Sequence, residues 1–215
     1  MTLKYFMIGA IVLFIVGMLV ISSYAAIDPR TVVGMWVFDE DNDDTARDLS
    51  GNGNDGEIME AKWEDGKIGK AFRFDGGNSV IQIPHSNELS LENFTAMAWI
   101  KLEAVGKWQY ILCKTPPAPP PWQRNYSIQV WTGDTFLGGF DDANGPWTGT
   151  LGATRVTDGE WHHVASTYDK KVLKVYVDGV VDGQQNISVD PVTNTDMITI
   201  GTNVINQGLM DLWMR

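Results

Sequence analysis

The chain has 215 residues, of which 44% are hydrophobic and 20% charged, enough for one domain with a real core and too apolar for a disordered tail. Its formal charge of −11 repels nucleic acid and anionic lipid, which excludes a nucleic-acid partner and suits divalent cations or neutral sugars. Cys113 is the single cysteine, so no internal disulfide forms, and its strand-like setting reads as a buried structural thiol.

In chain order, residues 5–21 form an unbroken apolar run behind Lys4. Ser23-Tyr24-Ala25 then fits a small-x-small cleavage pattern, so residues 1–25 read as a signal peptide, with a retained membrane anchor as the alternative. The domain is expected over residues 26–215, outside the cytoplasm: secreted, periplasmic, or anchored with the domain outside. No long helix follows. Residues 32–39 read as a first strand, residues 39–44 as an acidic turn, and residues 48–56 as a loop of residues that tolerate left-handed backbone. A short strand starts at Glu57. Residues 71–75 and 79–83 bracket Gly76-Gly77 as a hairpin, and residues 94–102 read as a central strand. Residues 108–114 are strand-like, and residues 115–122 form a proline-rich loop that cannot pair in a sheet. Residues 126–131 and 135–140 pair across Gly133. Residues 158–169 and 172–181 give further strands, with Asp178-Gly179 as a type I′ turn and Leu173, Val175 and Val177 on one face. Residues 197–201 form a late strand. Short strands with turns every 8 to 12 residues predict an all-β, antiparallel two-sheet sandwich.

The order of several pieces resembles the laminin-G-like jelly rolls of the pentraxin and concanavalin-A-like lectin/glucanase superfamily. The pieces are Gly34-Met-Trp-Val-Phe-Asp39, Asp48-Leu-Ser-Gly-Asn-Gly-Asn54, Gly66-Lys-Ile-Gly-Lys-Ala-Phe-Arg-Phe-Asp-Gly76, Ile81-Gln-Ile-Pro84, Phe94-Thr-Ala-Met-Ala-Trp-Ile100, Trp161-His-His-Val-Ala165 and Val175-Tyr-Val-Asp-Gly179. The resemblance implies a jelly roll over about residues 32–211 and a domain that binds glycans or proteins outside the cell. The family closes on Gly-x-Ile-Asp-Glu and further alternating residues. Here Gly208-Leu-Met-Asp211 is followed by Leu212 where the family has Glu. The resemblance therefore implies that the final strand is cut short, leaving residues 34–39 partly unpaired, or that this is a short natural variant.

Catalysis finds little support. Two carboxylates must flank a scissile glycosidic bond, and no strand carries such a run. His162 and His163 point to opposite faces, so they cannot share a metal, and His163 reads as a packed core histidine on the face of Trp161 and Ala165. No nucleophile elbow or zinc motif occurs. A calcium site is a more plausible expectation: Asp48, Asn52 and Asn54 offer oxygens in a tight arc, and the resemblance brings Asp211 nearby. The same loop also caps a turn through its own hydrogen bonds without any ion. For a glycan, the candidate contacts are Trp108, Trp122, Trp131 and Trp147 with Asp141 and Asn144; Trp36, Trp99 and Trp161 are assigned to the core. Trp122 and Trp147 each follow a proline and are assigned to loops. Three Asn-x-Ser/Thr triplets begin at Asn93, Asn125 and Asn186. The function expected is an exported, non-catalytic, lectin-like recognition module. The alternatives are a protein-binding adhesion domain and a secreted polysaccharide-active enzyme.

Overall fold

The structure is a computed structural model that describes residues 27–39, 44–103, 106–116, 123–201 and 210–214. The expected signal peptide, residues 40–43 of the acidic turn and residues 117–122 of the proline-rich loop, including Trp122, lie outside the described residues. Fifteen strands are described: β1 (Thr45–Ala46), β2 (Gly56–Met59), β3 (Lys62–Asp65), β4 (Lys70–Asp75), β5 (Val80–Ile83), β6 (Phe94–Glu103), β7 (Gln109–Lys114), β8 (Tyr126–Val130), β9 (Thr135–Asp141), β10 (Trp147–Arg155), β11 (Asp158–Tyr168), β12 (Val172–Val177), β13 (Val180–Asn186), β14 (Ile198–Ile200) and β15 (Met210–Met214). They form an eight-stranded sheet, β1-β2-β5-β14-β7-β8-β9-β10, and a seven-stranded sheet, β13-β12-β11-β6-β15-β4-β3. The two antiparallel sheets form the jelly-roll sandwich that the alternation and the resemblance imply.

Alternation decides what faces the middle. Leu173, Val175 and Val177 on β12 are buried, while Lys174 and Tyr176 between them are half-buried. Asp178 and Gly179 both take positive φ, 51° and 81°, as the type I′ turn requires. β6 buries Phe94, Ala98, Ile100 and Leu102, and β9 buries Phe136 and Phe140. The two layers meet in an aromatic cluster. Phe140 lies 4.6 Å from Tyr168 and 6.1 Å from Phe94, and Phe94 lies 5.7 Å from Tyr126, measured between ring centroids. The buried hydroxyl of Tyr126 donates to the carbonyl of Leu89, as a buried phenol must.

Three expectations are corrected. Residues 32–39 form no strand. Their backbone groups are taken by the loop that follows: Asp48 Oδ1 accepts the Met35 N–H, and the Asn52 and Asn54 amides donate to the carbonyls of Val32 and Val33. Phe38 then takes φ 56°, which ends any extended run. Gly76-Gly77 does not close a hairpin either. β4 belongs to the seven-stranded sheet and β5 to the eight-stranded one, so the chain crosses between layers there. Asp75 holds that crossing, its Oδ1 accepting from Gly77 N and from Ser79 Oγ. Finally, β3 and β10 are strands that the alternation did not reveal. The last strand, β15, lies between β4 and β6, in register Met214↔Phe72 and Met214↔Ile100.

Candidate functional site

The outer face of the eight-stranded sheet follows from parity on β8 and β9. Tyr126, Ile128 and Val130 enter the core, so Ser127 and Gln129 face outward, and the same alternation carries on to Trp131. On β9, Phe136 and Phe140 point in; Leu137, Gly139 and Asp141 point out. The registers Ser127↔Gly139 and Gln129↔Leu137 align these outward positions, and Tyr110↔Gln129 adds β7. The floor so formed is mixed and buried: Ser127 and Gln129 are fully covered, and Tyr110, Leu137 and Asp141 are at most 7% exposed. The fully buried Gln129 amide has no hydrogen-bond partner at either atom among the described residues.

Aromatic groups stand at both ends of this floor. At one end, Trp131 meets Trp108, with ring centroids 4.1 Å apart and planes tilted by 60°. At the other end, Trp147 opens β10 in register with Asp141. The six-residue rise of β9 from Thr135 to Asp141 separates the two ends by about 20 Å. The Trp147 indole lies against two glycines. A Cβ at Gly139 would come within 2.8 Å of it, and one at Gly149 within 2.6 Å. Only glycine gives the ring that room. Trp147 opens a strand and does not sit on a loop, although it follows Pro146. Proline restricts the residue before it, not the one after, so nothing prevents a strand from starting at Trp147.

Arg124 fixes this end, and sequence reasoning missed it. Its guanidinium carbon sits 4.1 Å from the centre of the Trp147 ring. Its backbone N–H and Nε donate to Asp141 Oδ2 at 2.7 and 3.0 Å, and Nη2 donates to Oδ1 at 2.9 Å. Burial works against the charge on Arg124, but Asp141 outweighs it and holds the guanidinium protonated. Asp141, expected as a ligand contact, is 7% exposed, and Arg124 engages both its oxygens, so it acts through Arg124 and Trp147. Asn144 lies in the exposed turn after β9, where its N–H donates to Asp142 Oδ1. The structure thus gathers Asp141, Asn144 and Trp147 at one end and Trp108 with Trp131 at the other.

The Asp48 loop is closed by its own donors. Asp48 Oδ1 accepts from the N–H groups of Met35 and Ser50, and Oδ2 accepts from Ser50 Oγ and Asn54 N–H. Burial opposes the charge on this carboxylate, but these donors hold its pKa below the ordinary value. Asn52 Nδ2 also donates to Ser50 Oγ, so the arc works as a clasp on residues 32–36. Among the described residues no group of three or more His, Cys, Asp or Glu converges as a metal site would. The Asp211 side chain lies outside the described residues.

The histidine pair also departs from expectation. His163 is not a core residue. It is in register with Trp99, and the two rings lie 5.3 Å apart on the outer face of the seven-stranded sheet, with Lys67 Nζ 5.6 Å from the Trp99 ring. Trp99 and Trp161 therefore cover the core from outside and do not enter it. His162 is the enclosed member, its side chain 13% exposed, with Nδ1 2.8 Å from Asp178 Oδ2 and Nε2 3.2 Å from Asp158 Oδ1. Burial disfavours its charge, but the two carboxylates prevail and raise its pKa above the ordinary value. A raised folded-state pKa means stability that is complete below the unfolded value, about 6.5, and is lost as pH rises through the folded one. The pKa values of Asp158 and Asp178 are lowered, so their contribution is constant over that window. The melting temperature is therefore expected to fall between about pH 6 and 8. In a His162→Gln variant that slope should vanish; an unchanged slope would refute the assignment.

Two further groups are settled by burial. Cys113 is fully buried and its thiol is pushed up to about 12 by burial, so it is no nucleophile. Asn125 is fully buried, its amide donating to the carbonyls of Leu91 and Val192, which removes it as a glycan acceptor.

The profile described as "Concanavalin A-like lectin/glucanases superfamily", a laminin-G-like family, matches residues 75–212. No curated protein sequence matches the chain. Among solved structures, the fold is similar to the ligand-binding domain of botulinum neurotoxin serotype D in complex with N-acetylneuraminic acid, with a TM-score of 0.64 and 16% identity over 87% of this chain and 46% of that one. It is similar to the binding domain of Paraclostridial Mosquitocidal Protein 1, with a TM-score of 0.63 and 16% identity over 81% of this chain and 45% of that one. It is also similar to domain 4 of AbnA, a GH43 extracellular arabinanase from Geobacillus stearothermophilus, in complex with arabinotriose. There the TM-score is 0.57, with 24% identity over 78% of this chain and 84% of that one. The chain thus spans less than half of the two toxin domains.

Proposed function

The chain belongs to the concanavalin A-like lectin/glucanases superfamily, as a laminin-G-like domain, and from that footing we propose that it is an exported, non-catalytic module that binds glycans on the outer face of its eight-stranded sheet. One observation carries this reading. Two half-buried aromatic groups, Trp108 with Trp131 and Trp147 braced by Arg124, stand about 20 Å apart on the same side of the eight-stranded sheet. Sugar rings stack on aromatic faces through their C–H groups while their hydroxyls need polar neighbours. Two stations at that separation suit an extended oligosaccharide better than one ring. The similar toxin and arabinanase domains were solved with N-acetylneuraminic acid and arabinotriose, which supports a glycan as the ligand class. The charge of −11 favours a neutral glycan over an anionic one.

Catalysis is not part of the proposal. The carboxylates at the two ends of the face are paired with arginines, Asp141 with Arg124 and Asp134 with Arg155, and neither is positioned as an acid or a nucleophile. Export rests on the apolar run of residues 5–21. The reading does not call on calcium, because the donors of the Asp48 loop already occupy both oxygens of its carboxylate. A glycan array probed with the protein, with and without EDTA, tests the reading. Binding is expected to survive EDTA and to fall about tenfold or more in Trp131→Ala and in Trp147→Ala, the loss of one central aromatic contact. No retained glycan, or binding that both variants leave intact, would overturn it.

A further inference from the structure

Two buried amides on neighbouring positions are treated differently by the fold. Asn125, just before β8, is fully paired: its Oδ1 accepts from the Leu91 N–H, and its Nδ2 donates to the carbonyls of Leu91 and Val192. Gln129, on β8, is equally buried, yet neither Oε1 nor Nε2 makes a hydrogen bond among the described residues. A buried amide left unpaired lowers stability, because it gives up its bonds to water and gains none. Exchanging the oxygen and nitrogen of the amide changes nothing, since both lack a partner.

Gln129 stands between the two aromatic stations. Along its own face of β8 its neighbours are Ser127 and Trp131, and across the ladder they are Tyr110 and Leu137. Ser127 leads on to the other station, because it lies opposite Gly139, against which the Trp147 indole rests. Ser127, Tyr110 and Leu137 are at most 7% exposed, whereas Trp131 is half-buried, and so is Trp108, on which its ring leans. The approach from solvent to the amide therefore runs past the Trp131 indole.

We propose, resting on the glycan reading, that the Gln129 amide is a concealed subsite for a vicinal diol of a neutral sugar, uncovered when Trp131 swings aside to stack on that sugar. Nε2 only donates and Oε1 only accepts. Two adjacent hydroxyls match them, one accepting from Nε2 while its neighbour donates to Oε1. A single hydroxyl serves either atom but not both in good geometry. An acetamido group carries a donor and an acceptor too, but its trans amide turns them to opposite sides, so it pairs with one atom only. A carboxylate or sulfate has no donor for Oε1. A site whose buried polar groups need the diol rejects a sugar that lacks it, because the amide is then left unpaired in the complex as well.

The test compares the full chain with Gln129→Met, on the glycan retained by the array and on the series in which each of its hydroxyls in turn is replaced by hydrogen. Methionine has similar length and no amide, so the variant is expected to melt about 2 °C or more above the parent. It is expected to bind the glycan about tenfold or more weakly. The parent should discriminate by the same factor against two members of the series, those altered at adjacent hydroxyls, and the variant should bind these and the unaltered glycan alike. A merely structural amide would change the melting temperature and leave that discrimination in place. In a ¹⁵N spectrum the Gln129 side-chain signals should shift with glycan while those of Asn125 stay. A variant that binds or discriminates as the parent does would overturn the proposal and leave the lectin reading standing. A variant that melts below the parent would show that the amide is paired in the free protein, and would overturn it too. A parent that retains no glycan fails the lectin reading, and this inference with it.

Discussion

Replacing Arg124 with methionine is expected to cost about 3–5 kcal/mol of stability and to abolish binding at the Trp147 end of the face. The reason is what remains behind. The side chains of Arg124 and Asp141 are only 11% and 10% exposed. Without the guanidinium, Asp141 keeps one hydrogen bond, from the Arg124 backbone N–H, and its charge is left nearly dry. The Trp147 indole loses its neighbour on the same substitution. A second variant separates stability from function. Arg124→Met combined with Asp141→Leu removes both charges and should regain most of the stability, because two apolar side chains of similar volume pack without a desolvation cost. It should not regain glycan binding, because the indole is no longer held by a cation. Thermal melts and array binding of the single and double variants check both halves. A double variant as unstable as the single one would contradict the ion-pair account.

The neighbouring residue gives the second large effect, with the opposite division. Phe140→Ala is expected to destabilise the domain by about 3–5 kcal/mol, and Phe140→Leu by less than about 1.5 kcal/mol. Phe140 is fully buried and touches Phe94 from β6 and Tyr168 from β11, so its loss leaves a cavity where the two sheets meet. Phe140 and Asp141 are consecutive on β9 and point to opposite faces. The leucine variant should therefore bind glycan as the parent does, whereas the Arg124 variant should not, even at temperatures where it is folded. Chemical denaturation of the two phenylalanine variants checks this. A cost for alanine below about 1 kcal/mol would mean that the sheets do not pack through this ring.

What the sequence reveals and what it hides divides along the range of the interaction. Asp178-Gly179 is readable because a type I′ turn is set by its own two residues, and the parity of Leu173, Val175 and Val177 follows from it. The pairing of β8 with β9 is readable for the same reason, as the two strands are close neighbours in the chain. Gly76-Gly77 is not. A hairpin and a crossing between sheets use the same positive-φ glycine, and only the distant partners of β4 and β5 tell them apart. Residues 32–39 alternate like a strand, yet three side chains of the following loop take their backbone groups. His163 keeps the parity expected of it, but its face packs on Trp99 outside the sheet, which alternation alone does not distinguish from the core.

The site shows the same division. Tryptophans that exceed one core were countable, and Trp108, Trp131 and Trp147 do share a sheet face. Arg124 was not marked, because its partner Asp141 lies 17 residues away and only the β8–β9 pairing brings them together. The signals that were present are Gly139 and Gly149, glycines inside strands, where the backbone leaves room for another group. Lys114 shows the limit most clearly. It is fully buried on β7, its Nζ donating to the Asp196 carbonyl and lying 3.2 Å from His85 Nδ1, and burial pushes its pKa down to about 8. Nothing local to it predicts that position.

The most direct test is a ¹⁵N spectrum of the tryptophan indoles, recorded while the glycan selected on the array is titrated in. The account predicts that the Trp108, Trp131 and Trp147 signals shift together with ligand, while those of Trp36, Trp63, Trp99 and Trp161 stay in place. Shifts confined to Trp99 and Trp161 would put recognition on the other sheet and contradict it.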